Sequence, residues 1–283
     1  MMRRSGFHAG IRLTTGAVAL LALLLFNSGC ASVDPVTGRR VANLYSLEED
    51  IRLGREVKAD IAREMERQGV PVNADPARVT QLRDMVARIA AVSHLPDLPY
   101  EITLYHTNIV NAAAAPGGQI IVFSGLYDPE IGLVRDENEL AAVIAHEIAH
   151  VTCRHTTESL TRRAPVDLLL LAGAIYAEVE GERDLALAMG VAFVAYEGFI
   201  LPRYSRHDES EADAVGLLYM AKAGYDPRAA PALWKRVSEK EGRTPALMRW
   251  MSSHPSHDHR HDDLQALMPE ALAAYEAARR SGR

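Results

Sequence analysis

Val143-Ile144-Ala145-His146-Glu147-Ile148-Ala149-His150-Val151 sets two histidines and a glutamate into an apolar run with helical spacing. On an α-helix, residues four apart differ by roughly 40° around the axis, so His146 and His150 share one face and can reach a single metal ion. Glu147 lies roughly 60° from His150 on the same flank, close enough to take a proton from water beside the metal but not a natural ligand. Leu140, Val143, Ile144, Ile148 and Val151 add an apolar stripe, which makes this a buried helix whose polar groups face a cleft. The chemistry on offer is metal-assisted hydrolysis. A chance match on an amphipathic helix would carry the same residues, so the rest of the site has to be found elsewhere.

A catalytic zinc usually takes three protein ligands and keeps a fourth position open, so two histidines are not enough. His155 sits roughly 140° past His150 on a continuing helix, and is expected to face away and serve a helix end or a neighbouring loop. Tyr204-Ser205-Arg206-His207-Asp208-Glu209-Ser210-Glu211-Ala212-Asp213 is the better source. Glu209 and Asp213, four apart, project from one helical face. Glu211, roughly 200° from Glu209, is expected to face solvent. One carboxylate can bind a metal while the next holds a ligand histidine by its other N–H. A solvated acidic helix start would also account for Asp208, Glu209 and Glu211.

Several elements must position these groups. Ser46 followed by Glu49 is a capping box and predicts a helix to about Arg67. Asp75-Pro76 predicts a second helix to about Val92. Tyr100 to His106 alternates as a strand, and Pro116-Gly117-Gly118 turns the chain into a short hairpin or paired strands over Gln119 to Phe123. Asp136, with Glu139 three residues on, caps the metal helix. Cys153 reads as a small buried hydrophobe. The apolar stretches 166–177 and 185–200 read as buried core helices, with a bilayer-facing apolar surface as the alternative. The fold class expected is α+β and mostly helical, with one small edge sheet.

Residues 1–29 read as a signal peptide: Arg3, Arg4 and Arg12 precede an apolar run from Gly16 to Phe26, and Asn27-Ser28-Gly29 leads to Cys30. Cys30 is the expected lipidation site, although Asn27 stands where such signals usually carry leucine. An ordinary cleaved signal or an uncleaved anchor is the alternative. Residues 30–45 read as a tether and 46–283 as one catalytic domain. A net charge of −6 and pI near 6.0 argue against nucleic acid as a partner, as do five Phe and two Trp. Once Cys30 is acylated, Cys153 has no intrachain disulfide partner.

His-Glu-x-x-His, then Ser-Arg-x-x-Glu-x-x-Ala-Asp, with Asn111-Ala112 and Pro-Gly-Gly upstream and His254-Pro255 downstream, resembles the HtpX-like and CAAX-prenyl-protease-like zinc peptidases. The similarity runs from roughly Leu47 to Arg260, and the Pro-Val-Thr-Gly-Arg-Arg run after Cys30 is similar to the small lipoprotein members. The resemblance implies a zincin-type domain with one Zn²⁺ per chain held by His146, His150 and Glu209. Asp213 would orient a ligand histidine, and Glu147 would be the general base that passes its proton to the leaving amine. His254 would be catalytic, either donating to the oxyanion or capping the metal; a His-rich solvated turn is the bland alternative. His257, His259 and His261 receive no role. Asn111 and Ala112 resemble the edge strand against which an extended substrate pairs. Transmembrane helices through the catalytic region and a C-terminal repeat array, found in other members, are not expected.

The function expected is hydrolysis of misfolded or unassembled cell-envelope proteins on the periplasmic side of a bacterial outer membrane, with lipid as the membrane link. A zinc-containing assembly factor that rarely cuts, and a structural zinc domain, are the rivals.

Overall fold

The computed structural model describes residues 31–34, 36–180, 184, 187, 204–239, 254 and 260–282. The chain divides into two compact units. The larger comprises Asp34–Gly38, Tyr45–Ser159 and Phe199–Arg283; the smaller comprises Met1–Val33, Arg39–Leu44 and Leu160–Gly198.

In the larger unit, helix α1 (Leu47–Arg67) opens on the expected capping box, with Ser46 and Glu49 each accepting from the other's backbone N–H. Helix α2 (Pro76–Ala90) has Asp75 as its N-cap and proline at N1, so the missing N–H is one the helix would have left unsatisfied. Three strands follow: β3 (Glu101–Tyr105), β4 (Ala112–Ala115) and β5 (Gln119–Phe123). Their order is β3-β5-β4, with Ile102 opposite Ile120 in the parallel pair and Ala113 opposite Ile121 in the antiparallel pair. The turn between β4 and β5 packs on α1. A Cβ on Gly54 would stand 1.8 Å from the Pro116 carbonyl oxygen, and Gly117 holds φ +69° against the backbone of Ile51. Both positions therefore need glycine.

Helix α3 (Glu137–Thr152) is the hub, buried from Glu139 to Thr152. Asp136 accepts from the Glu139 N–H at its start, as expected from the sequence. Around it pack α2, β4, α5 (Arg206–Lys222) and α6 (Ala229–Glu239), while α7 (Arg260–Arg280) closes over α5 and α6. Val143, Ile144, Ile148, Leu104, Val122, Leu217 and Leu233 are among the side chains of this one core. The architecture is α+β and mostly helical, with the small sheet on one side of α3.

The smaller unit holds a short antiparallel pair, β1 (Ala31–Val33) with β2 (Arg40–Ala42), inside the segment expected to be a plain tether. Leu44 N–H donates to Thr161 Oγ1 in helix α4 (His155–Glu180), which has Pro165 in its interior. The expectation of a buried helix over 166–177 fails here. Val166, Leu168, Leu169, Leu171 and Ile175 are exposed, Leu169 by 71%. A nearly continuous apolar stretch carries no periodicity to say which face is covered, so sequence could not decide it. The companion stretch 185–200 falls almost wholly outside the described residues. Among the described residues, no helix is long and apolar enough to cross a membrane.

Candidate metal centre

All the groups expected at the site lie in the larger unit. His146, Glu147 and His150 project from α3, Glu209 and Asp213 from α5, and each is buried. Helix α5 begins on a capping box in which Ser205 and Asp208 satisfy each other's backbone N–H groups, so its first turn is fixed where Glu209 must sit. Glu209, Asp213 and Gly216 recur at i, i+4 and i+7 and form the stripe that meets α3. A Cβ on Gly216 would stand 3.0 Å from the Cα and N of His146, so glycine permits this close crossing. Gly216 is a contributor that sequence reasoning left without a role.

Nε2 of His146 and Nε2 of His150 are 3.0 Å apart, and Glu209 lies 3.4 Å from His150 and 3.5 Å from His146. His254 joins them: its Nδ1 is 3.1 Å from Glu209 and 3.4 Å from His146 Nε2, while its Nε2 is 3.4 Å from Glu147 Oε1. One donor atom from each of His146, His150, Glu209 and His254 lies within 4.8 Å of the others, so the four could hold a metal ion. Among the described residues, neither carboxylate oxygen of Glu147 has a hydrogen-bond partner, nor has Oε2 of Glu209, which has Arg260 Nη1 at 3.4 Å. Buried carboxylates left in that condition are costly unless a cation completes the site.

The surroundings are ordered. His146 Nδ1 is 3.0 Å from Asp213 Oδ1, and Asp213 is gripped by the forked guanidinium of buried Arg260, with Nη2–Oδ1 at 2.7 Å. Arg260 also stacks on Trp234 at 3.8 Å. Sequence reasoning gave neither residue a role; only the fold, which brings the start of α7 beside α5, connects Arg260 to Asp213. Tyr204 lies flat on His150, with centroids 3.8 Å apart and ring planes 14° from parallel.

Burial raises the Glu147 carboxyl above the ordinary carboxylate range, opposed by the charges of His254 and His146. For Glu209, burial works in the same direction but loses. The charge of His254 and the hydrogen bonds with His146 and His150 hold it well below that range.

Two expectations fail. His155 does not face away: its Nδ1 is 2.8 Å from His150 Nδ1. Glu211 does not face solvent, because its Oε2 is 2.9 Å from His155 Nε2 and its side chain is only 9% exposed. For His155 the reason is Arg154, which takes φ 56° and ends the α3 geometry on which its angular estimate depended, while Glu211 keeps its place on α5 and is met there by His155. A left-handed conformation costs a non-glycine residue about 1–2 kcal/mol. The Arg154 side chain offsets that by donating to Asp50 at 2.6 Å and to the Tyr45 carbonyl at 2.5 Å. Asn111 and Ala112 lie at the start of β4, which pairs with β5 on one flank among the described residues. The Asn111 side-chain oxygen is buried without a hydrogen-bond partner among the described residues. A narrow cleft lined by Ala114, Ala115, His150, Arg154 and Thr156 runs between β4 and the site. His257 and His259 lie outside the described residues.

Buried imidazole and carboxylate donors, with the glutamate of a His-Glu-x-x-His helix beside them and touching His254, define a metallopeptidase. The chain belongs to peptidase family M48, whose sequence pattern matches residues 76–268. It is 31% identical over 244 residues to mitochondrial metalloendopeptidase OMA1 of Schizosaccharomyces pombe, covering 86% of this chain and 68% of that one. Identity to the Arabidopsis thaliana protein of that name is 38% over 188 residues, covering 66% of this chain and 36% of that one. A putative beta-barrel assembly-enhancing protease of Vibrio cholerae is 30% identical over 210 residues, covering 73% of this chain and 41% of that one.

Proposed function

We propose that this chain is a zinc-dependent endopeptidase of the cell envelope, held latent by His254. One observation carries the metal reading. Donors on a tetrahedron of zinc bonds stand roughly 3.3 Å apart. The five separations given above among His146, His150, Glu209 and His254 run from 3.0 to 3.5 Å, with Glu209 turning one oxygen to His146 and the other to His150 and His254. Two or three imidazoles with one carboxylate also suit zinc chemically. His146, His150 and Glu209 would hold it, and Asp213 would fix the His146 ring. Bound there, zinc supplies Lewis acidity toward the scissile carbonyl and the attacking water.

The remaining steps belong to the protein. Glu147, with neither oxygen engaged in a hydrogen bond and its proton affinity raised by burial, takes the proton of the attacking water and delivers it to the leaving amine. An extended peptide would pair along the flank of β4 not taken by β5, near Asn111 and Ala112, with main-chain bonds that demand little of its sequence. His254 completes the donor set, so it competes for the position an incoming water needs. The same contact favours the rival in which the chain chiefly binds envelope proteins and rarely cuts them. Turnover of casein with and without chelator separates the two, because the rival requires the same negligible rate in both.

The substrates we propose are misfolded or unassembled envelope proteins. Relatives named beta-barrel assembly-enhancing proteases support this, as does the lipoprotein-like start, with Cys30 as the anchor. The exposed apolar side chains of α4 suit a place beside a membrane. Other relatives are named mitochondrial. Fractionation of cells carrying the full chain, with recovery in the outer-membrane fraction, is the outcome expected; recovery in the soluble fraction would refute the anchored envelope setting.

A further inference from the structure

We propose that His155 and Glu211 form a relay that orients His150 for metal binding, which makes His155 a positioning residue of the centre. The inference rests on the metal reading above. The two helix histidines are supported in different ways. Nδ1 of His146 meets a carboxylate directly, Asp213 at 3.0 Å. Nδ1 of His150 meets another imidazole, Nδ1 of His155 at 2.8 Å, and Nε2 of His155 meets Glu211 at 2.9 Å.

Only one proton arrangement lets His150 serve a metal through Nε2. Its proton must then sit on Nδ1 and be donated outward. His155 must accept at Nδ1, which puts its own proton on Nε2, pointing at Glu211. The carboxylate at the far end accepts that proton's hydrogen bond and makes the whole chain self-consistent. With His150 protonated on Nδ1, a proton on His155 Nδ1 would set two N–H groups against each other at 2.8 Å. Tyr204, stacked on the His150 face, fixes the plane of the ring; His155 fixes its rotation within that plane. His155 is fully buried, so no water replaces it. The left-handed Arg154 delivers His155 to this position three residues after α3 ends at Thr152.

The test is zinc affinity, measured by competition with a chromophoric chelator on the full chain. Wild type is compared with His155→Leu, His155→Asn, Glu211→Leu and Glu211→Gln. Loss of outer support of this kind weakens metal binding by about 10- to 100-fold. That loss is expected in His155→Leu and Glu211→Leu. His155→Asn, whose amide oxygen can still accept from His150, should recover much of it, and Glu211→Gln should lie between wild type and Glu211→Leu. Equal melting temperatures of metal-free wild type and the Glu211 variants would assign the loss to the site and not to folding. Unchanged affinity in Glu211→Leu, with wild type binding one zinc tightly, overturns the relay alone. Two zinc ions per wild-type chain also overturn it, assigning His155 and Glu211 with Cys153 to a second site, since those three donors lie within 4.8 Å of one another. A wild type that binds no zinc overturns the metal reading and the relay together.

Discussion

His254 Nε2 stands 3.4 Å from Glu147 Oε1, so one imidazole touches the glutamate proposed as general base while its other nitrogen faces the donor cluster. In the proposed mechanism a group in that place would obstruct the water that Glu147 deprotonates. Replacing His254 with Ala should therefore raise the turnover of an unstructured substrate at equal zinc content. A fall of about 10²–10³ would instead make His254 an oxyanion donor. An unchanged rate would remove it from the mechanism.

Gly216→Ala tests how closely α5 must approach α3. The added methyl meets His146 backbone at 3.0 Å, and backbone cannot step aside as a flexible side chain can. Overpacking of this kind costs about 1–3 kcal/mol. Urea denaturation should show that loss. Zinc affinity should fall with it, because Glu209 rides on the displaced helix. An unaltered midpoint would mean the crossing has slack.

Arg260→Leu leaves Asp213 buried beside His146 without its cation. Breaking a buried pair by removing one partner costs about 3–5 kcal/mol. The double change Arg260→Leu with Asp213→Leu should be less destabilised than the sum of the two single changes, as measured by a chemical-denaturation cycle. Additive losses would show that the fork contributes nothing beyond each residue alone.

The contributors differ in how legible they were in the sequence, for physical reasons. Capping boxes at Ser46 and the N-cap at Asp136 are local devices, read within four residues, and they stand in the structure as expected. The pairing of β4 with β5 also follows from a nearby turn. The helical faces of His146, His150, Glu209 and Asp213 follow from periodicity, and the fold brings those four side chains together. Periodicity fails where a helix stops: Arg154 turns left-handed, and His155 moves to the back of His150, where it meets Glu211 on α5. Arg260 and Trp234 depend on the docking of α6 and α7, which no local pattern encodes. The exposed side chains of α4 show the same limit, since an apolar run does not say what covers it.

Membrane association is expected to have two parts. Cys30→Ala should release most of the protein from membranes, since stable anchoring needs more than one acyl chain's worth of burial. Any residual association should disappear when Leu169 and Ile175, both exposed on α4, are also changed to Asp. Sedimentation with lipid vesicles measures both effects. Full retention by the triple variant would place the membrane contact elsewhere.

The central claim is that Glu147 is the base of a metal-assisted hydrolysis and not a ligand. The direct measurement is zinc content and proteolysis of Glu147→Gln beside wild type. Zinc should remain near one per chain while turnover falls about 10²–10⁴-fold, the contribution expected of a general base. Near-normal turnover with full zinc, or loss of the zinc itself, would contradict it.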